Sequence, residues 1–246
     1  MIKIKSPAEI DKIKKACDIV IETQELLKKH IVPEITTVQL DKLAYDFIVN
    51  KSAIPAFLGY NGYPATICAS INDCVVHGVP NNKKLKKGDI ISVDVGVKFD
   101  GYFGDAAFTM GVGEISNDAE KLLDITKIAL YKGIEKCVEG NHLSDISNAI
   151  QTAAEKNGFS VVRRFVGHGI GSDLHEEPQI LNYGLPHQGP ILKEGMVFAI
   201  EPMLNQGTYE VEVLEDKWTV VTKDRKLSAH FEHTVAITKN GPLILT

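Results

Sequence analysis

The residues best suited to chemistry in this chain are acids set inside apolar, strand-like runs. Asp94 lies in IISVDVGVKF and Asp105 in YFGDAAFTM, and the two runs are joined by Asp100-Gly101, a dipeptide that tolerates the positive φ angles of a two-residue hairpin turn. With the turn there, Phe99 faces Tyr102 and Gly96 faces Asp105, so Asp94 lies diagonal to Asp105 on one face of the hairpin. Two carboxylates so placed repel one another and resist ionising, and the usual relief is a shared proton or a cation. Taken alone, such a pair more often faces solvent beside its turn. Glu201 in VFAIEPML and Glu232 in HFEHTVAI are two further acids in apolar runs, where an unpaired carboxylate is costly; each alone reads equally well as an edge residue or a salt-bridge partner. With His168 they make a set of four carboxylates and one imidazole. Four negative charges balance two divalent cations, which bridging carboxylates hold ~3.5–4 Å apart.

An internal echo supports grouping these residues. LKKGDIISVDV from Leu85 is repeated as LKEGMVFAIEP from Leu192, and an acid stands nine residues after the Leu in both, Asp94 and Glu201, an offset of 107. A His-Gly pair precedes each copy, His77-Gly78 and His168-Gly169. The chain therefore reads as a duplicated unit, one domain over 1–246 with pseudo-symmetric halves of roughly 1–112 and 113–246, and the echo predicts that His77 and His168 occupy matching positions.

The elements that must position these groups follow the same repeat. Ser6-Pro7-Ala8-Glu9 has the form of a capping box opening a first helix, with Ile10, Ile13, Cys17, Val20 and Leu27 on its apolar stripe. Thr36 or Thr37 caps a second helix with a stripe of Leu40, Leu43, Phe47 and Ile48, closed by Pro55. In the second half Asn117–Glu120 is a start signal, Leu122–Cys137 reads as a third helix, and Leu143–Lys156 as a fourth, closed by Asn157-Gly158. Gly-, Tyr- and Pro-rich stretches follow the second and fourth helices and suit pocket-forming loops. The expected architecture is α/β (α+β), with antiparallel strands at the centre and four helices covering one side.

Composition excludes several classes. At 246 residues and 44% hydrophobic content the chain can bury a sizeable core. A net charge of −5 argues against a dedicated nucleic-acid binder, despite the KKLKK run at Lys83–Lys87. Cys17, Cys68, Cys74 and Cys137 show no CxxC spacing, so neither a zinc knuckle nor a disulfide scaffold is indicated and a reducing cytoplasm fits best. No apolar run approaches the ~20 residues needed to span a bilayer, and the start of the chain lacks a signal-peptide core. No GxSxG occurs, which disfavours a serine hydrolase.

The motifs DVGVKFDGYFGD, GHGIG, HEEP, IEPM and FEHT, in this order and spacing, resemble those of the short bacterial type I methionine aminopeptidases, metallopeptidases of the pseudo-symmetric pita-bread fold, over essentially the whole chain. The resemblance implies that Asp94, Asp105, His168, Glu201 and Glu232 ligate two divalent ions (Co, Fe, Mn or Zn), with Asp105 and Glu232 bridging. It implies catalytic roles for His77, His175 and Glu201, with the two histidines contacting the substrate and Glu201 passing a proton to the leaving amine. It places Tyr60, Tyr63, Cys68 and Trp218 around the methionine side chain, and Asn72 and Ser228 near a structural monovalent cation. Phe57, Leu174 and Ala199 depart from residues common in relatives, two of them at the pocket and Ala199 beside the metals. The implied reaction is removal of the initiator methionine from nascent polypeptides when the second residue is small, by a cytoplasmic monomer working near the ribosomal exit tunnel, with no membrane or sequence-specific nucleic-acid partner. Two other readings are a same-fold Xaa-Pro aminopeptidase, which generally carries an extra N-terminal domain that has no room before the first helix here, and a non-catalytic binding module, which is expected to have lost ligands.

Overall fold

The hairpin predicted around Asp100-Gly101 is the spine of the structure. A computed structural model describes all of residues 1–246. Its strands are β1 (Ile54–Pro55), β2 (Ile67–Ile71), β3 (Cys74–Val76), β4 (Ile90–Phe99), β5 (Tyr102–Gly111), β6 (Ser160–Val161), β7 (Gly167–Gly169), β8 (Glu176–Ile180), β9 (Val197–Ile200), β10 (Met203–Asn205), β11 (Val211–Val213), β12 (Val220–Thr222), β13 (Ser228–His230), β14 (His233–Thr238) and β15 (Gly241–Ile244). Its helices are α1 (Pro7–His30), α2 (Thr37–Asn50), α3 (Asn117–Ile134) and α4 (Leu143–Glu155).

Asp100 and Gly101 both take positive φ, 47° and 82°, as a tight two-residue turn requires. The register is the one expected: Phe99 opposite Tyr102 and Gly96 opposite Asp105. All strand pairs are antiparallel, and they are divided among four ladders rather than one continuous sheet. One ladder runs β1-β4-β2 with β5 paired to β4; another runs β15-β14-β9-β7-β8; two three-stranded ladders, β13-β10-β6 and β11-β12-β3, complete the set. Short strands with intervening bulges, such as the register shift at His168/Gly169, bend the sheet and break its continuity.

Helix starts follow the sequence closely. The capping box at Ser6 and Glu9 is formed, and a second one joins Thr36 to Gln39. Three boundaries differ. The second helix ends at Asn50 rather than running to Pro55, which sits in β1; the third is capped by the Ser116 side chain on Ala119 and stops at Ile134. On α2 the fully buried face is Leu40, Ala44 and Ile48, while Leu43 and Phe47 are only half-buried, because a helix packed on one side against a sheet buries a narrow i, i+4 row. Helices α1 and α2 pack on the first ladder and α3 and α4 on the second-half strands, enclosing cores around Val93 and Val95 on one side and Ile146 and Phe198 on the other.

Helix α1 lies unusually close to β5. A Cβ on Gly104 would stand 2.6 Å from the Cys17 amide nitrogen of α1, so only glycine admits the helix there. The neighbouring Asp105 is thereby pressed against the interior. All four cysteines are buried and free.

Candidate metal centre

Asp105 is fixed from both sides of the molecule. Its amide donates to Thr234 Oγ1 (3.2 Å), whose hydroxyl donates to the Asp105 carbonyl (2.7 Å). Two more contacts continue this zipper: the Glu232 amide donates to the Ala107 carbonyl (2.9 Å), and Thr109 Oγ1 donates to the His230 carbonyl (2.7 Å) while receiving the His230 amide (3.0 Å). Strand β5 and the segment 230–234 are thus held in one register, which places Glu232 beside Asp105. Asp94 arrives from β4, between Cys68 on β2 and Ala107 on β5. Glu201 follows β9, stopped by Pro202, with its carbonyl held by Asn182 Nδ2 (3.2 Å). His168 stands on β7 opposite Ala199.

The five expected residues therefore converge. Asp105, His168 and Glu232 each offer an atom within 4.8 Å of the others'. His168 Nε2 lies 3.5 Å from Glu201 Oε1 and 4.0 Å from Asp105 Oδ2. The tautomer follows from its other nitrogen, because Nδ1 is 3.0 Å from the Gly169 carbonyl oxygen, which can only accept. Nε2 then turns a lone pair toward carboxylate oxygens, a repulsive arrangement unless a cation stands between them. Asp94 Oδ1, Asp105 Oδ1 and Glu232 Oε1 are buried with no hydrogen-bond partner. Unpartnered buried oxygens of this kind carry a large desolvation cost, and oxygen donors with one imidazole fit borderline divalent ions.

The electrostatics agree. Burial pushes the Asp94 carboxyl up to about 7. Burial, then the Glu232 and Asp94 charges, raise Asp105 well above the usual range; burial and neighbouring carboxylates do the same to Glu201 and Glu232. Burial lowers His168 to about 3 and, with the nearby His175, His77 to about 4; it also lowers His175.

A stability prediction follows. All four carboxyls are raised above their unfolded values of about 4, Asp94 to about 7, so the metal-free folded chain holds more protons than the unfolded chain above about pH 4, and stability falls as pH rises from there through the folded values. The buried imidazoles act in the opposite sense, but only below their unfolded value of about 6.5. In chelator the melting temperature is expected to drop between about pH 6.5 and 8, and Mn²⁺ is expected to flatten or reverse the slope. Parallel slopes with and without metal would contradict it.

A cavity of ≈ 320 Å³ opens above the acids, walled by Phe57, Tyr60, Tyr63, Cys68 and Trp218 and bordered by His77 and His175. Tyr63 is buried, stacks edge-on against Trp218 (5.1 Å between centroids), and its hydroxyl donates toward the Ile67 and Gly78 carbonyls (3.0 and 3.1 Å). It thereby also holds the turn carrying His77. Tyr60 is more open, and its hydroxyl pairs with His175 Nδ1 at 2.8 Å. Phe57 lines the cavity, and Leu174 is buried in the apolar cluster behind it. Ala199 is fully buried between His168 and Thr234. A smaller space of ≈ 200 Å³ lies beyond His77 and His175, bounded by Val76, Phe165, Val166, Arg164 and Glu201. Asn72 and Ser228 are neighbours, the Ser228 amide donating to the Asn72 carbonyl.

The His-Gly echo does not hold in three dimensions. Seven residues after the Leu of each repeat, Ser92 faces Ser70 and Ala199 faces His168, so His168 corresponds to Ser70. His77 and His175 each lie seven residues beyond those partners, and it is these two that match. Residues 74–76 before His77 form strand β3, where the second half has none, and the matching His-Gly dipeptides in the sequence concealed this correspondence.

His230 was not anticipated. It is 1% exposed, with Nε2 3.7 Å from Glu201 Oε2 and 3.9 Å from Glu232 Oε2 and no hydrogen-bond partner. Its spacing of two from Glu232, which puts residues of an extended segment on one face, was the available signal.

Comparison with known proteins bears on this geometry. Residues 11–239 match the model of metallopeptidase family M24. The chain is 55% identical to methionine aminopeptidase 1 of Bacillus subtilis over 246 residues, covering 100% of this chain and 99% of that one. The crystal structure of a methionine aminopeptidase from Rickettsia prowazekii superposes with a TM-score of 0.99 at 46% identity, covering 100% of both chains. A prolidase from Pyrococcus furiosus shares the fold, with a TM-score of 0.80 at 23% identity over 99% of this chain and 65% of that one.

Proposed function

The chain belongs to metallopeptidase family M24, and from that premise we propose that it is a metal-dependent aminopeptidase that removes the N-terminal methionine of peptides. The observation that carries the reading is that Asp94, Asp105, Glu201 and Glu232 line one cavity with His168, whose Nε2 lone pair lies 3.5 Å from Glu201 Oε1 and 4.0 Å from Asp105 Oδ2, beneath aromatic walls. The fold-sharing prolidase is matched at 23% identity, whereas the methionine aminopeptidases of Bacillus subtilis and Borreliella burgdorferi are matched at 55% and 46% over the full chain.

We assign Asp94, Asp105, His168, Glu201 and Glu232 as the residues that would hold two divalent ions drawn from Co, Fe, Mn and Zn; their four negative charges would match two such ions. Bound there, the ions supply Lewis acidity, lowering the pKa of a water and polarising the scissile carbonyl. The remaining work falls to the chain. Glu201, with its raised pKa, is suited to accept a proton and deliver it to the leaving amine. His175 has Nδ1 engaged by Tyr60, which leaves Nε2 to meet the substrate carbonyl oxygen as negative charge grows on it. His77, neutral and set edge-on against Phe165, is placed to hydrogen-bond the scissile amide. Tyr60, Tyr63, Cys68 and Trp218 receive the methionine side chain, whose thioether favours aromatic and sulfur neighbours.

The same reading makes residues 1–246 one catalytic domain of two halves, roughly 1–112 and 113–246, acting as a cytoplasmic monomer on nascent N-termini at the ribosome; Asn72 and Ser228 are assigned to a monovalent cation. No helix is long and apolar enough to cross a membrane. The test is to strip metal with chelator, restore ions singly, and follow methionine release from Met-Ala-Ser against release from a Xaa-Pro peptide. Activity is expected to vanish on chelation and to return on Met-Ala-Ser alone. Retained activity in chelator, or preference for the Xaa-Pro peptide, would overturn the proposal.

A further inference from the structure

Two imidazoles flank Glu201, and they differ in what fixes their tautomers. His168 faces Oε1 with its Nδ1 proton committed to the Gly169 carbonyl, so its Nε2 is a lone pair. His230 faces the other oxygen, Oε2, with its Nε2 3.7 Å away and also 3.9 Å from Glu232 Oε2. No carbonyl takes a proton from its Nδ1, so the Nε2–H tautomer is free to form, and it is favoured because that nitrogen points between two carboxylate oxygens.

The backbone leaves this ring little freedom. His230 is paired with Met203 across β10 and β13, and Thr109 clamps both its amide and its carbonyl. The nitrogen is buried, polar and unpartnered, a state that needs an explanation in a folded protein. A short movement of the two carboxylates toward it would satisfy all three groups. That movement turns Glu201 and Glu232 by fixing one oxygen of each and leaving the other for an ion.

We propose that His230 is a positioning residue whose Nε2–H donates to Glu201 Oε2 and Glu232 Oε2 and holds both carboxylates in their metal-binding orientation. This rests on the ligand assignment above, and it gives the second half of the chain a proton donor in the metal centre that is not itself a ligand. Groups hydrogen-bonded to metal ligands are typically worth about 10- to 100-fold in metal affinity.

The test compares His230→Leu, which keeps bulk without a donor, with His230→Gln, which restores an N–H. Mn²⁺ affinity is measured by calorimetry, the Co²⁺-loaded forms are examined by proton NMR for imidazole N–H signals shifted by the metal, and melting curves confirm folding. His230→Leu is expected to bind Mn²⁺ about 10- to 100-fold more weakly, His230→Gln to recover most of that loss, and the number of shifted imidazole signals to stay at its wild-type value in both. Unchanged Mn²⁺ affinity in His230→Leu would overturn the proposal. Equal loss in both variants together with disappearance of a shifted imidazole signal would also overturn it, making His230 a ligand. Failure of the wild-type chain to bind Mn²⁺ would instead remove the ligand assignment itself.

Discussion

Replacing His175 with alanine is expected to leave metal content nearly intact while lowering kcat by about 10²-fold or more, the usual cost of losing one donor to a developing oxyanion. Glu232→Ala is expected to lose metal and activity together. The contrast comes from position. His175 borders the cavity, hydrogen-bonded to Tyr60 and with its ring on that of His168, whereas Glu232 is buried beside Asp105 within the zipper formed by β5. Loss of metal from Glu232→Ala would not be a trivial result of unfolding, since Glu232 Oε1 has no hydrogen-bond partner to lose and its backbone bond to Ala107 survives the substitution. Metal analysis and steady-state kinetics on both variants decide the matter. Equal metal loss in the two would make His175 a ligand and reverse its assignment.

The second large effect concerns the residue that follows methionine. Beyond His77 and His175 the space shrinks to ≈ 200 Å³, walled by Val76, Phe165 and Val166, and two of these walls are stiff, β-branched valines. A bulky second residue must displace the scissile amide from Glu201 and the two histidines, and a misplacement of ~1 Å near reacting atoms costs about 10²-fold. Met-Gly, Met-Ala and Met-Ser peptides are therefore expected to be cleaved quickly, and Met-Ile, Met-Leu and Met-Lys peptides about 10²-fold more slowly or not at all. Because the crowding acts on the transition state, the loss should appear in kcat/KM even where a bulky peptide still binds as an inhibitor. Comparable values for Met-Ala and Met-Leu peptides would rule out this assignment of the leaving side.

What could be read from residues alone was the local grammar. Asp100-Gly101 set the hairpin register that puts Asp94 diagonal to Asp105, and Ser6 and Thr36 marked two helix starts, because turns and caps depend on a few adjacent side chains. The repeated acids Asp94 and Glu201 were legible for the same reason. The pairing of His77 with His175 was not, since it depends on the cross-strand register of Ser70 with Ser92 and of His168 with Ala199, which no short motif encodes. His230 was hidden for another reason: a single histidine in an apolar run ordinarily reads as core, and only the approach of Glu201 from a distant strand gives it a task. The division of the strands among four ladders likewise reflects bulges and bends that arise between elements rather than within them.

The zipper between β5 and residues 230–234 carries a further meaning once the origin of each acid is considered. Asp94 and Asp105 come from the first half, Glu201 and Glu232 from the second, so each half contributes an equal and mutually repelling pair. Without ions the seam closes on four acids by backbone and hydroxyl bonds alone; with ions it closes on a shared countercharge. On the proposed ligand assignment the centre would be a clasp as well as a catalyst: ions held there would cross-link the two halves much as a disulfide would, but through a bond that forms only after the last strands have been made and that opens again whenever metal is withdrawn.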